Sequence, residues 1–146
     1  MQNYKDNVID IKRLSDDVEY YNNVFKKVEK IVSVIFYILS YTDNKGISVS
    51  MSDTLKKESF KLHEVSLNAL HALPDSQTDT IQAVRYQLIT IDSTIRVAQA
   101  GRVIASDLAQ LITEQIDVVQ RYISNHYLQS TGLSVKELHE MSVSTG

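Results

Sequence analysis

Ala98-Gln-Ala-Gly-Arg-Val-Ile-Ala-Ser-Asp107 is the stretch on which the fold turns. An apolar repeat in steps of three and four enters it as Ile81, Val84, Leu88, Ile91, Ile95 and Ala98. A second repeat leaves it as Ala109, Ile112, Ile116, Val119 and Ile123, with Leu108, Leu111 and Val118 beside it. A lone glycine need not break a helix, so one reading is a single long helix. The other places a turn at Gly101 to Ala105 and lets Ser106 or Asp107 cap a new helix. That reading yields helices of about 23 to 25 residues, the matched lengths that an antiparallel bundle needs. It is the reading adopted.

Working outward, the first helix carries the longest pattern. Ile11, Leu14, Val18, Tyr21, Phe25, Val28, Val32, Ile35 and Leu39 fall on one helical stripe. The helix starts near residue 17 or continues from Tyr4, the continuous form being preferred, and it stops at Thr42-Asp-Asn-Lys-Gly46. Ser50 or Ser52 then caps a second helix running to about Leu73. Its inner ridge is Leu55, Leu62, Ser66, Ala69 and Leu73, widened by Phe60, Leu67 and Leu70, and Pro74 ends it. After a turn at Ser130-Thr-Gly132, the capping-box spacing Ser134-Val-Lys-Glu137 predicts a short helix to about Met141. The expectation is an all-α, up-down four-helix bundle over 17–128, with an N-terminal helical extension at 1–16 and a C-terminal tail at 129–146.

Composition narrows the function classes. Four Gly and one Pro occur in 146 residues, where ordinary usage would give roughly 17. Such scarcity argues against sandwiches, barrels and Gly-rich phosphate loops. Hydrophobic residues make up 43% and charged residues 23%, values that support a packed core. The net charge of -3 announces neither nucleic acid nor a membrane surface. Cysteine is absent, which removes disulfides, thiolate catalysis and Cys-ligated zinc. The polar N-terminus has no apolar signal core, and a cytoplasmic setting is expected. The longest uncharged apolar stretch, Ile31 to Tyr41, is shorter than the roughly 20 residues that span a bilayer.

No catalytic set assembles from spacing. His63 and His71 stand too far apart to chelate one ion along a helix, and no Glu-x-x-His pair falls inside the bundle helices. No metal or cofactor is expected. Arg121-Tyr-Ile-Ser-Asn-His126 has the Arg, four residues, His spacing of the HEPN group of helical RNases, where a base and a phosphate-stabilising cation act together. A solvated helix end explains those two residues equally well. Asp92 and Arg96 read as an ion pair one helical turn apart. Lys26, Lys27 and Lys30, then Lys56, Lys57 and Lys61, form two basic clusters among interspersed Glu. They are candidate nucleic-acid contacts, though an antiparallel order is expected to hold them toward opposite ends.

The first helix from Ile31 to Tyr41 is apolar almost all round. Val34, Tyr37 and Tyr41 point away from its stripe, and Tyr86, Ile89 and Val97 lie off the stripe of the third helix. Apolar surface beyond what a core needs predicts a subunit or partner interface at these six positions.

Ile91-Asp-Ser-Thr-Ile-Arg-Val-Ala98, the short turn to Ile104, and Glu114-Gln-Ile116 also carry a resemblance. Together with the element lengths over roughly Val18 to Ile123, they resemble the small four-helix-bundle family. That family includes the accessory variability determinant of diversity-generating retroelements and the proteins encoded in ribosomal-RNA intervening sequences. A similar acidic residue, apolar run and Ala close its third helix, and an acidic-Ile-Gly pattern marks its fourth. Here Asp117 stands at the Gly position and no Trp follows. The resemblance implies a homopentamer around a central channel. For the retroelement branch it also implies binding to nucleic acid and to a reverse transcriptase. The functional expectation is a non-enzymatic homo-oligomeric scaffold that binds a protein partner; the alternative is a helical RNase-like enzyme using Arg121 and His126.

Overall fold

A computed structural model of the chain describes the backbone of residues 4–41 and 46–131, and the side chains within 18–40 and 46–126. Four helices account for almost all of it: α1 (Tyr4–Tyr41), α2 (Val49–Leu70), α3 (Gln77–Ala100) and α4 (Ser106–Thr131). A 3-10 turn, Pro74–Ser76, joins α2 to α3. The short helix expected near 134–141 lies outside the described residues.

The turn in the opening stretch is present, and its chemistry differs from the expectation. α3 ends at Ala100 with Gly101 as a cap of ordinary right-handed conformation, φ -80°. The left-handed residue is the next one, Arg102, at φ 61°. The Arg102 N–H donates to the Gln99 carbonyl at 3.1 Å and the Val103 N–H to the Ala98 carbonyl at 3.0 Å. These are the two bonds of a Schellman ending. The glycine thus stands one residue ahead of the position that most needs it. α4 opens at Ser106, so neither Ser106 nor Asp107 precedes it as a cap. Instead the Ala105 carbonyl takes the first bond, from Ala109 N–H at 3.0 Å.

α2 starts earlier than expected. Ser48, rather than Ser50 or Ser52, is its N-cap: the Ser48 hydroxyl accepts from Met51 N–H at 3.1 Å. A tertiary contact fixes that choice. Ile47 and Ile104, both buried, form an antiparallel bridge between the α1–α2 and α3–α4 loops. The Ala105 N–H donates to the Gly46 carbonyl at 2.6 Å and the Ser48 N–H to the Val103 carbonyl at 3.0 Å. Gly46 holds φ 100° there, and a Cβ on it would meet Ala105 Cβ at 3.3 Å. α2 also ends sooner, at Leu70, and Leu73 is exposed rather than part of the inner ridge.

α1 packs on α2 and α4, and α3 packs on α2 and α4, so the helices form a four-membered ring with α1 and α3 on a diagonal. Both loops that follow α1 and α3 meet at the bridge, while Tyr20 meets His126 far from it. These contacts are compatible with the expected antiparallel order. At a rise of about 1.5 Å per residue, α1 is about 57 Å long against about 33 to 39 Å for the others. Its N-terminal portion therefore continues past the level where Tyr20 meets α4.

The inner lines of α3 and α4 follow the expected repeats: Val84, Leu88, Ile91, Ile95 and Ala98, and Ala109, Ile112, Ile116, Val119 and Ile123, are all buried. The line of α1 does not. Its buried residues are Tyr20, Val24, Val28, Ile31, Ile35 and Ile38, while Val18 is exposed. Tyr21, Val32 and Leu39 pack beside that line, half-buried. Both lines are apolar, so spacing alone could not choose between them; docking between α2 and α4 selects the one that points between the two. Polar side chains then tie neighbours together. Gln87, almost fully buried, donates through Nε2 to the Glu58 carboxylate at 2.7 Å and the Glu58 carbonyl at 2.9 Å. Gln120 Nε2 donates to the Arg85 carbonyl at 3.2 Å.

Candidate functional site

The predicted interface residues divide into three groups. Val34 is half-buried and packs against the core, because the α1 line has turned toward it; it does not present an outward face. The Tyr41 side chain lies outside the described residues. Tyr37, Tyr86, Ile89 and Val97 are exposed, at 61%, 67%, 53% and 70%. These four are not one surface, since Tyr37 is on α1 and the others on the diagonal helix α3. The α3 group is the more ordered. Tyr86, Ile89, Ser93 and Val97 recur every three or four residues on the side opposite the buried Val84, Leu88, Ile91 and Ile95. Asp92 and Arg96 flank them as an ion pair with Nε and Oδ2 2.8 Å apart. The hydrogen bond and charge of Asp92 push the Arg96 guanidinium further toward its charged form, with a smaller contribution from Asp117 on α4.

The RNase-like pair is not assembled into a site. Arg121 reaches back along α4 to Asp117 at 2.9 Å, whereas the His126 ring stacks on Tyr20 of α1 with centroids 3.5 Å apart. Five residues along a helix turn the side chains about 140° apart, which accounts for the separation. His126 belongs instead to an aromatic cluster that sequence spacing did not reveal, since its members come from opposite ends of the chain. Tyr122 stacks against Tyr20 at 5.8 Å and accepts at its hydroxyl from Asn23 Nδ2 at 3.2 Å. Lys27 Nζ lies 4.9 Å above the Tyr122 ring. Burial, reinforced by Tyr21 and Tyr122, pushes the Tyr20 hydroxyl well above the usual phenol range.

That cluster also decides how the lysines lie. Lys27 is drawn to the α1–α4 side by Tyr122, away from α2. The two lysine clusters, expected toward opposite ends, are placed in part by the ring contacts between α1 and α2. Phe25 meets His63 at 5.9 Å and Phe36 meets Phe60 at 4.8 Å, so Lys26 and Lys30 on α1 and Lys61 on α2 lie between those contacts, while Lys56 and Lys57 lie nearer the start of α2. Lys26, Lys30, Lys56, Lys57 and Lys61 are exposed, with Glu29 and Glu64 among them. The positive charge is therefore interrupted by acids and spread over more than one face.

Two concavities lie among the described residues. Phe36 and Phe60 floor a groove of about 350 Å³ between α1 and α2, with Glu29 and His63 at its edge. A second, of about 570 Å³, lies against the bridged loops and is lined by residues 46–48 and 102–106, with Gln99 beside them. Neither holds a nucleophile with a base and an orienting group. Among the described residues, no group of three or more His, Asp or Glu is placed to hold a metal ion, and no helix is long and apolar enough to cross a membrane. Comparison with protein-family models, curated proteins and solved structures gave no match.

Proposed function

We propose that this chain is a non-enzymatic, homo-oligomeric helical scaffold that presents a helical surface to a protein partner. The observation that carries the reading is the row Tyr86, Ile89 and Val97. The core closes without these residues, yet they stand in helical register on the outside. Isolated exposed apolar side chains are ordinary; an aligned row flanked by charge is what an interface looks like before its partner arrives. The separate engagements of Arg121 and His126 favour this reading over RNase chemistry.

The resemblance to the retroelement accessory family adds a narrower form, a pentamer that contacts nucleic acid. The acids among Lys26, Lys30, Lys56, Lys57 and Lys61 weigh toward the protein-binding form. The test is mass in solution: light scattering across a concentration series should give more than the 16.6 kDa of one chain. A single-chain mass at every concentration up to about 200 µM would remove the reading, since it corresponds to a dissociation constant too weak for a stable assembly.

A further inference from the structure

The exposed row on α3 has a property that an arbitrary binding patch lacks: it fits itself. Ser93, small and exposed, stands at its middle, with Ile89 four residues before and Val97 four residues after. A twofold axis at Ser93, relating two antiparallel α3 helices, sets Ile89 of each copy against Val97 of the other. Small residues at the crossing let the two helices approach closely, and Tyr86 then extends over Ala100 of the second copy. The flanks agree with this arrangement. Such an axis brings the Asp92 side of one helix against the same side of the other. Asp92 then comes within about 3 Å along the axis of the second copy's Arg96. The ion pair present within each chain becomes a four-membered ring of alternating charge. A twofold interface requires a patch complementary to its own rotated image, and both the apolar and the charged positions meet that requirement.

We infer that the outer face of α3 is an isologous dimer interface whose occupant is α3 of a second copy of this chain, centred on Ser93. The inference rests on the scaffold reading and specifies its surface. α1 contributes nothing to it, because it lies diagonally across the bundle.

The absence of cysteine makes the test clean, since one introduced thiol is the only one present. In the full chain, Ser93→Cys should give a disulfide-linked dimer on mild oxidation. Asn68→Cys, on an exposed position of α2, should remain single under the same conditions. The double change Ile89→Glu and Val97→Glu should lower the assembly mass at least twofold. Both positions are exposed, so helicity by circular dichroism should be unchanged. Asp92→Arg alone should weaken association, and adding Arg96→Asp should restore it. If the unmodified chain self-associates but Ser93→Cys does not cross-link and the double Glu variant still assembles, the α3 interface is wrong and the scaffold reading stands. If the unmodified chain is a single chain throughout, both fall. A double Glu variant that loses helicity is replaced by Ile89→Ser with Val97→Ser, for which retained assembly overturns the inference.

Discussion

At residue scale, the two glycines of the loops play unequal parts. Gly46 sits at a positive φ with Ala105 against it, so Gly46→Ala is expected to cost about 1 to 3 kcal/mol. Gly101 has a negative φ and room for a methyl group, with its nearest neighbours in ordinary contact. Gly101→Ala should be neutral or stabilising by up to about 1 kcal/mol, and Arg102→Gly should stabilise by a similar amount by relieving the left-handed arginine. Denaturant melts of the three variants check this order. Ser59 is a further case: its hydroxyl is buried on α2 with no hydrogen-bond partner among the described residues. Ser59→Ala should therefore raise stability, by about 1 kcal/mol or a few degrees in Tm, through removal of an uncompensated polar group.

At the scale of the element, legibility followed how many apolar lines a helix carries. α3 and α4 each have one line that is apolar at every step, and their buried residues could be read from spacing. α1 has two between Ile31 and Tyr41, so the sequence marked a helix there but not its rotation. Helix ends were legible to within a few residues where local chemistry marks them, as near Pro74, where α2 stops at Leu70 rather than the expected Leu73. They were not legible where a distant loop does, as at Ser48, whose position follows from Ile104. The Tyr20 cluster was invisible for the same reason, and it makes a pH-dependent prediction for the α1–α4 contact. The Tyr20 hydroxyl stays protonated in the fold at pH values where the unfolded chain, with the ordinary phenol value of 10.0, has released its proton. The unfolded state therefore binds fewer protons above about pH 10, and stability falls as pH rises through that region. Thermal melts from pH 9 to 11 should show a smaller decline in Tyr20→Phe than in the unmodified chain; an identical decline would assign the effect to other groups.

At the scale of the whole molecule, the ring of helices leaves every helix with an outer side, and among the described residues that of α3 carries the aligned row Tyr86, Ile89 and Val97. Of the six predicted interface positions, Tyr37, Tyr86, Ile89 and Val97 are exposed, but they do not share one face. Which residues share a face depends on the diagonal placement of α1 and α3, and no local pattern contains that. Arg121 and His126 show the reverse: near in sequence, they engage different partners in space.

The bridge between Ile47 and Ile104 has a consequence for the order of assembly. α1 with α2, and α3 with α4, are helical hairpins whose contacts are close along the chain, so each can close at small entropic cost. The bridge instead joins one half of the chain to the other, and it can form only once both loops have their turns. Its two backbone bonds, at the amides of Ser48 and Ala105, therefore tie together two loops that are distant along the chain. Those amides are expected to exchange with solvent when the two loops separate, without any helix unwinding, and amide hydrogen exchange at Ser48 and Ala105 checks this.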